Sequence, residues 1–180
     1  MTATITATPI RTAPRRTSLD LSPLTRAAVG LVGVGLTAAS ALAITRYAAG
    51  LAPDHPGGHL VAVAIHVAAV VPAVPLGALL MLSRKGTPRH KLLGRIWIML
   101  MVVTALSALF IRQANHGQFS PIHLFVPLTL FGAWKTVATI RRGDIAGHRK
   151  ALIGLYLGAL ALPGLFSFLP DRLMGTWLLG

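Results

Sequence analysis

The stretch "HLVAVAIHVAAVVPAVPLGALLML", residues 59–82, decides the class of fold. It contains no Asp, Glu, Lys or Arg, and roughly 20 such residues suffice for a helix to cross about 30 Å of hydrocarbon. Four further apolar segments lie near residues 27–45, 96–111, 117–140 and 151–169. The sequence therefore predicts an all-α integral membrane protein, a bundle of five transmembrane helices within residues 24–180.

Composition supports this class of protein and excludes others. Of the 180 residues, 54% are hydrophobic and 12% are charged, against roughly 25% charged residues in soluble domains. The net charge is +13, but the basic residues lie between apolar segments too long for a soluble core, so nucleic acid is not an expected partner. Because the chain has no Cys, disulfides, thiolate chemistry and Cys-ligated metal or iron–sulfur sites are excluded.

Basic residues are concentrated in alternate connections between the apolar segments. Residues 1–23 are predicted to form a disordered basic tail, and the connections at 84–91 and 141–150 are also rich in Lys and Arg. The two intervening connections offer only Arg46 and Arg112. The positive-inside rule then places the N-terminus and its tail in the cytoplasm and the C-terminus outside. The lipid bilayer is the expected surrounding, with anionic lipids in contact with the cytoplasmic connections.

Three sequence blocks resemble a known family: "HKLLGRIW" at 90–97, "RRGDIAGHRKALIGLY" at 141–156 and "FSFLPDRLMG" at 166–175. From about residue 59 onward the chain is similar to the bacterial family of predicted multi-pass membrane proteins designated domain of unknown function 2306. In that family the last block usually reads Pro-Gly-Arg, whereas this chain has Asp171 at the Gly position. The resemblance implies a multi-pass protein of the bacterial inner (plasma) membrane and supplies no reaction.

Two histidines are expected to lie at the same depth in the membrane. His66 is eight residues into a span that begins near Gly58, or roughly 12 Å at 1.5 Å per residue. Counting back about 20 residues from Lys135, which should reach the inner surface, places His123 roughly 10–12 Å deep as well. Two imidazoles at one depth on inward-facing helices are suited to hold a b-type haem, or another metal, between them. A structural or proton-linked polar pair and a quinone contact stay open as alternatives.

The histidines also resemble, in outline, the ligands of two-haem transmembrane cytochrome b proteins that transfer electrons from ascorbate. In those proteins the second and fourth helices supply one ligand pair, and the third and fifth helices supply the other. The resemblance implies that His66 pairs with His123, and that His90 pairs with His148. His90 and His148 are expected near the membrane surface, where lipid contact or helix capping is the alternative role.

The sequence thus leaves three hypotheses for function, and it leaves open whether the protein is an enzyme. The first is an electron-transfer membrane protein with haem b as its cofactor. The second is a non-catalytic membrane scaffold or accessory protein that associates with a membrane protein partner or with itself. The third is a small proton-coupled transporter, suggested by Lys135 and by Pro72 and Pro75 in the second span. No Ser–His–acid set is expected with so few carboxylates.

Overall fold

The computed structural model describes residues 21–112 and 118–180, and within those ranges the secondary structure is entirely helical. The seven α-helices are α1 (Pro23–Ala48), α2 (Val61–Leu82), α3 (Pro88–Ala108), α4 (Phe125–Arg141), α5 (Ile145–Ile153), α6 (Leu162–Phe166) and α7 (Leu173–Leu179). A 3-10 turn (Pro121–Leu124) precedes α4, and a π-helical segment (Gly154–Ala161) joins α5 to α6. Residues 1–20, which hold most of the predicted tail, lie outside the described ranges.

Four of the described helices are long and apolar enough to cross a membrane: α1, α2, α3 and the continuous helix Ile145–Phe166. Residue 117 of the fourth predicted span, 117–140, lies outside the described ranges, residues 118–120 are not helical, and the helix runs from Pro121, with 17 residues in its α-helix α4. The helix begins there because Ser120 occupies the N-cap and Pro121 the first helical position. A membrane-spanning all-α protein is therefore confirmed, whereas the count of five spans stays a prediction.

Local capping explains where two of the helices begin. The Oγ1 atom of Thr87 accepts a hydrogen bond from the backbone N–H of His90 at 3.1 Å, and Pro88 follows as the first residue of α3. The Oδ1 atom of Asp144 accepts from the N–H of Gly147 at 2.8 Å at the start of α5. Helix α3 therefore begins eight residues before the apolar segment predicted at 96–111, because helix formation does not require apolar residues outside the hydrocarbon.

The helices pack in a closed order. Helix α2 packs on α3, α3 on α4, and α4 on α5, whose π-helical continuation packs back on α2. Helices α2 and α4 thus occupy opposite corners of a four-helix arrangement, as do α3 and α5. Helix α1 packs outside this arrangement, against α2, the π-helical segment and α7.

The tightest packing surrounds Gly77 on α2. The rings of Trp97 and Tyr156, 1% and 0% exposed, lie directly over it. Trp97 donates its Nε1–H to the carbonyl of Ala73 at 2.9 Å, and Tyr156 donates its hydroxyl to the carbonyl of Val74 at 3.1 Å. These two bonds satisfy the buried polar groups of both rings and fix α3 and the π-helical segment against α2.

The outer surface of the bundle is apolar. Large side chains such as Leu31, Met99 and Trp134 are 75%, 67% and 58% exposed on three different helices. Patches of this kind are unusual on soluble monomers. Their exposure is accounted for by contact with the lipid bilayer.

Candidate functional site

His66 is half-buried on α2 and contacts α3 with its Nδ1 atom. That atom lies 3.0 Å from the carbonyl oxygen of Thr104 and 3.2 Å from the Oγ atom of Ser107. Because a carbonyl only accepts, the Nδ1 atom must carry the proton, and the Nε2 atom of the neutral ring then has a free lone pair. Histidines that bind metals commonly donate their second N–H to a backbone carbonyl in this way. The tautomer of His66 is thus the one that a ligand to a metal needs.

His123 lies in the 3-10 turn that leads into α4. Its Nδ1 atom is 3.1 Å from the backbone nitrogen and 3.2 Å from the carbonyl oxygen of Ser120, so it has both a donor and an acceptor within reach. Its Nε2 atom is buried without a hydrogen-bond partner. A buried polar atom left unpaired costs about 1–3 kcal/mol. The ring is therefore held at one nitrogen and unsatisfied at the other.

His66 and His123 occupy opposite corners of the bundle, on α2 and just before α4. Both lie toward the bundle end at which these two helices begin. Across the described ranges no hydrogen bond joins the two rings. Their pairing around a common ligand stays a prediction.

His90 and His148 lie together at the other end of the bundle. His90 is in the first turn of α3, and His148 is in the first turn of α5. Lys85 lies in the connection just before α3, so it belongs to the same end of the bundle. We call this end, with the connections 83–87 and 142–144, the basic end. The basic end is rich in Lys and Arg, in agreement with the sequence prediction that the basic connections lie on one side of the membrane.

The second pair repeats the pattern of polar contacts seen in the first. The Nδ1–H of His148 donates to the carbonyl of Thr136 on α4 at 2.8 Å, which leaves the Nε2 lone pair free. The Nδ1 atom of His90 is buried and has no hydrogen-bond partner. The partner of His148 is thus a carbonyl within α4.

The family model described as predicted membrane protein (DUF2306) matches residues 63–174. The chain belongs to this family. The matched region includes all four candidate histidines and leaves out α1. No curated protein and no solved structure matches the chain.

Within the family region, three glycines on the helices that carry or contact the histidines differ in the space around them. An added Cβ at Gly94 or Gly154 would meet no atom within 4 Å. At Gly132 it would lie 3.0 Å from Leu155, so this position is already filled by a neighbouring side chain. Open space is therefore present at Gly94, one turn after His90, and at Gly154, where the π-helical segment begins.

The polar partners of the histidines were not identified from the sequence. Thr104, Ser107 and Thr136 are buried hydroxyl residues on helices that face a histidine. Two of them, Thr104 and Ser107, lie one helical turn apart, a spacing that indicates a shared face. Small hydroxyl residues inside apolar spans are the sequence signal that could have indicated these contacts.

Other candidate chemistry is limited in the described residues. No group of three or more His, Asp or Glu side chains there could hold a metal ion. Lys135 is exposed on α4, with its Nζ atom 5.9 Å from the centre of the Phe131 ring. A lysine on the outer face of α4 does not line a path through the bundle.

Proposed function

We propose that the protein is an electron-transfer membrane protein that holds b-type haem between histidines on opposite helices. His66 and His123 would hold one haem, and His90 and His148 would hold the second. The proposal rests on one observation: each pair combines a histidine fixed by a backbone carbonyl with a histidine whose buried ring nitrogen lacks a partner. Haem, when bound, supplies a one-electron carrier.

The residues fit such a group in their chemistry. The carbonyls of Thr104 and Thr136 orient the rings of His66 and His148 and leave one lone pair on each. A ligand at Nε2 of His123 would satisfy its unpaired atom; it requires the tautomer whose Nδ1–H donates to the carbonyl of Ser120 in place of accepting from the Ser120 N–H. The corner positions of the helices support the same proposal, because cofactor sites of helix bundles are built from facing side chains in the core.

The second candidate is a non-catalytic scaffold in which the histidines only join helices. The contacts of His66 with Thr104 and Ser107 favour it, since they connect α2 to α3 without any ligand. Interhelical bonds of this kind contribute about 0.6 kcal/mol on average in membranes. In this candidate a partner protein or a second copy of the chain supplies the function. The transporter candidate requires flux through liposomes that falls when Lys135 or His66 is replaced.

Absorption spectra of purified, haem-supplemented protein and its variants separate these candidates. We expect a Soret band, with α-bands that sharpen on reduction, in the wild type. His66→Ala and His123→Ala should each remove the contribution of one site, and His90→Ala and His148→Ala that of the other. His59→Ala is the matched control, because His59 is exposed just before α2. A wild-type protein without a Soret band, whose His66→Ala variant is only less stable, would favour the scaffold.

We also propose five spans, a cytoplasmic basic tail at 1–23, a cytoplasmic basic end, and a location in the bacterial inner membrane. The support is the grouping of His90, His148 and Lys85 at one end, together with the positive-inside rule. Because the chain has no Cys, single cysteines can report the side. An impermeant maleimide should label Asp54→Cys in intact cells, and should label Arg84→Cys only after the membrane is opened. Labelling of Arg84→Cys in intact cells would reverse the orientation.

A further inference from the structure

A groove runs between α4 and the helix that continues from α5 through the π-helical segment. Its volume is about 240 Å³, and its lining includes Leu128, Phe131, Lys135, Lys150 and Gly154. No carboxylate is among the residues that line it. Since small-molecule sites usually measure roughly 300–1,000 Å³, this groove suits part of an amphipathic molecule whose remainder lies outside.

The two lysines meet at the same height. Lys135 is six residues before Arg141, where α4 ends, and Lys150 is five residues after Ile145, where α5 begins. At 1.5 Å per residue both lie roughly 8–9 Å from the connection between the helices. The helices run in opposite directions, so Lys135 and Lys150 start from the same height near the basic end, and both line the groove.

The floor and walls of the groove are apolar. Gly154 leaves open space, since a Cβ added there would meet nothing within 4 Å. Phe131 and Leu128 are 56% and 51% exposed along one wall, toward the interior of the bilayer from the lysines. The groove is thus lined by two lysines near the basic end and by apolar side chains toward the interior of the bilayer, and its open side faces lipid.

We propose that this groove binds one anionic phospholipid. The phosphate is bound between the ammonium groups of Lys135 and Lys150, and an acyl chain lies along Leu128 and Phe131. Charge complementarity and the absence of carboxylates in the lining select an anion. The apolar continuation selects a lipid over free phosphate. This site is separate from the four histidines and does not depend on haem.

Native mass spectrometry of the purified full-length chain with phosphatidylglycerol or phosphatidylcholine tests the proposal. We expect one tightly retained phosphatidylglycerol and no comparable phosphatidylcholine. Lys135→Gln and Lys150→Gln should each weaken retention about fivefold, the effect of one cation at an anionic lipid surface. Gly154→Leu should fill the groove and displace the lipid, whereas inorganic phosphate should not compete.

Matched variants distinguish specific binding in the groove from nonspecific attraction of anionic lipid to the basic surface. Lys91→Gln removes an exposed lysine of α3 outside the groove, and Gly158→Leu changes a glycine of the π-helical segment that also has open space. Both should retain the lipid, and Lys150→Arg should preserve binding. Circular dichroism confirms that each variant is folded. Equal losses in Lys91→Gln and Lys150→Gln, unchanged binding in Gly154→Leu, or displacement by inorganic phosphate would each overturn the proposal.

Discussion

Replacing Gly77 by alanine should destabilise the bundle by about 2–3 kcal/mol. The added Cβ would lie 2.6 Å from Cδ2 of Tyr156 and 2.7 Å from Nε1 of Trp97, whereas carbon atoms in contact prefer about 3.5–4.0 Å. Both rings are buried, so each must move by roughly 1 Å. Overpacking of this kind costs about 1–3 kcal/mol.

The displacement also affects two hydrogen bonds. The bonds from Trp97 to Ala73 and from Tyr156 to Val74 measure 2.9 and 3.1 Å, and breaking either leaves a buried donor at a cost of about 1–3 kcal/mol. The higher helix propensity of alanine offsets up to about 1 kcal/mol of this loss. Together these terms give the net figure of about 2–3 kcal/mol for Gly77→Ala.

Thermal unfolding in detergent micelles, followed by circular dichroism, measures the effect. At roughly 2–4 °C per kcal/mol for a chain of this size, Gly77→Ala should lower the Tm by about 5–10 °C. Gly94→Ala is the matched control, because its Cβ would meet no atom within 4 Å, and its Tm should stay close to that of the wild type. Equal melting of the two variants would refute the packing described around Gly77.

Substitutions at three further positions test other parts of the structure. Arg46 donates hydrogen bonds to the carbonyls of Leu51, Trp177 and Gly180. Arg46→Ala should therefore increase hydrogen exchange in α7 severalfold, while the Tm changes little. Unchanged exchange in α7 would contradict a role of Arg46 in holding this helix. Asp171 has a φ of 63°, so Asp171→Gly should be tolerated. Asp171→Val should lower the free energy of unfolding in denaturant by about 1–2 kcal/mol, because a β-branched residue disfavours this conformation. Equal stability of the two variants would count against the left-handed turn at this position. Tyr156→Phe removes one buried hydrogen bond and should cost about 1 kcal/mol, with a loss above 3 kcal/mol indicating a role beyond that bond.

The membrane class and most of the helix positions follow from the sequence. The second span was predicted at 59–82 and is observed at Val61–Leu82, because uninterrupted hydrophobicity determines both the span and its ends. The family resemblance from residue 59 onward is confirmed by the match to 63–174. Asp171, where the resemblance leads us to expect Gly, adopts a left-handed turn conformation, and Asp is among the residues that tolerate it.

Other features depend on tertiary contacts that hydropathy does not encode. The predicted span 151–169 contains a π-helical segment at Gly154–Ala161, and a hydropathy profile does not distinguish i→i+5 from i→i+4 hydrogen bonding. Helix α7 was not predicted because it is too short to span a membrane. It packs through Trp177, which stacks on Tyr47 with 4.2 Å between ring centres.

The candidate site also combines features that the sequence predicts with features that depend on tertiary contacts. Counting residues along helices predicted the pair His66 and His123, whereas the resemblance to two-haem cytochrome b proteins implied His90 and His148, which were expected near the membrane surface. In the structure His90 and His148 lie in the first turns of α3 and α5, at one end of the bundle, and the pairing of either set of histidines around a ligand is still a prediction. Hydrogen-bond partners such as Thr136 depend on helix rotation, which spacing along one helix does not determine.

The haem-to-chain ratio of the purified wild-type protein tests the central claim most directly. Expression with supplied haem, extraction in mild detergent and a pyridine haemochrome assay give this ratio, and His59→Ala serves as the control for surface histidines. The account predicts at least one haem per chain, lost stepwise as members of the two pairs are replaced. Folded protein that contains no haem, or haem that persists when His66, His90, His123 and His148 are all replaced, would contradict it.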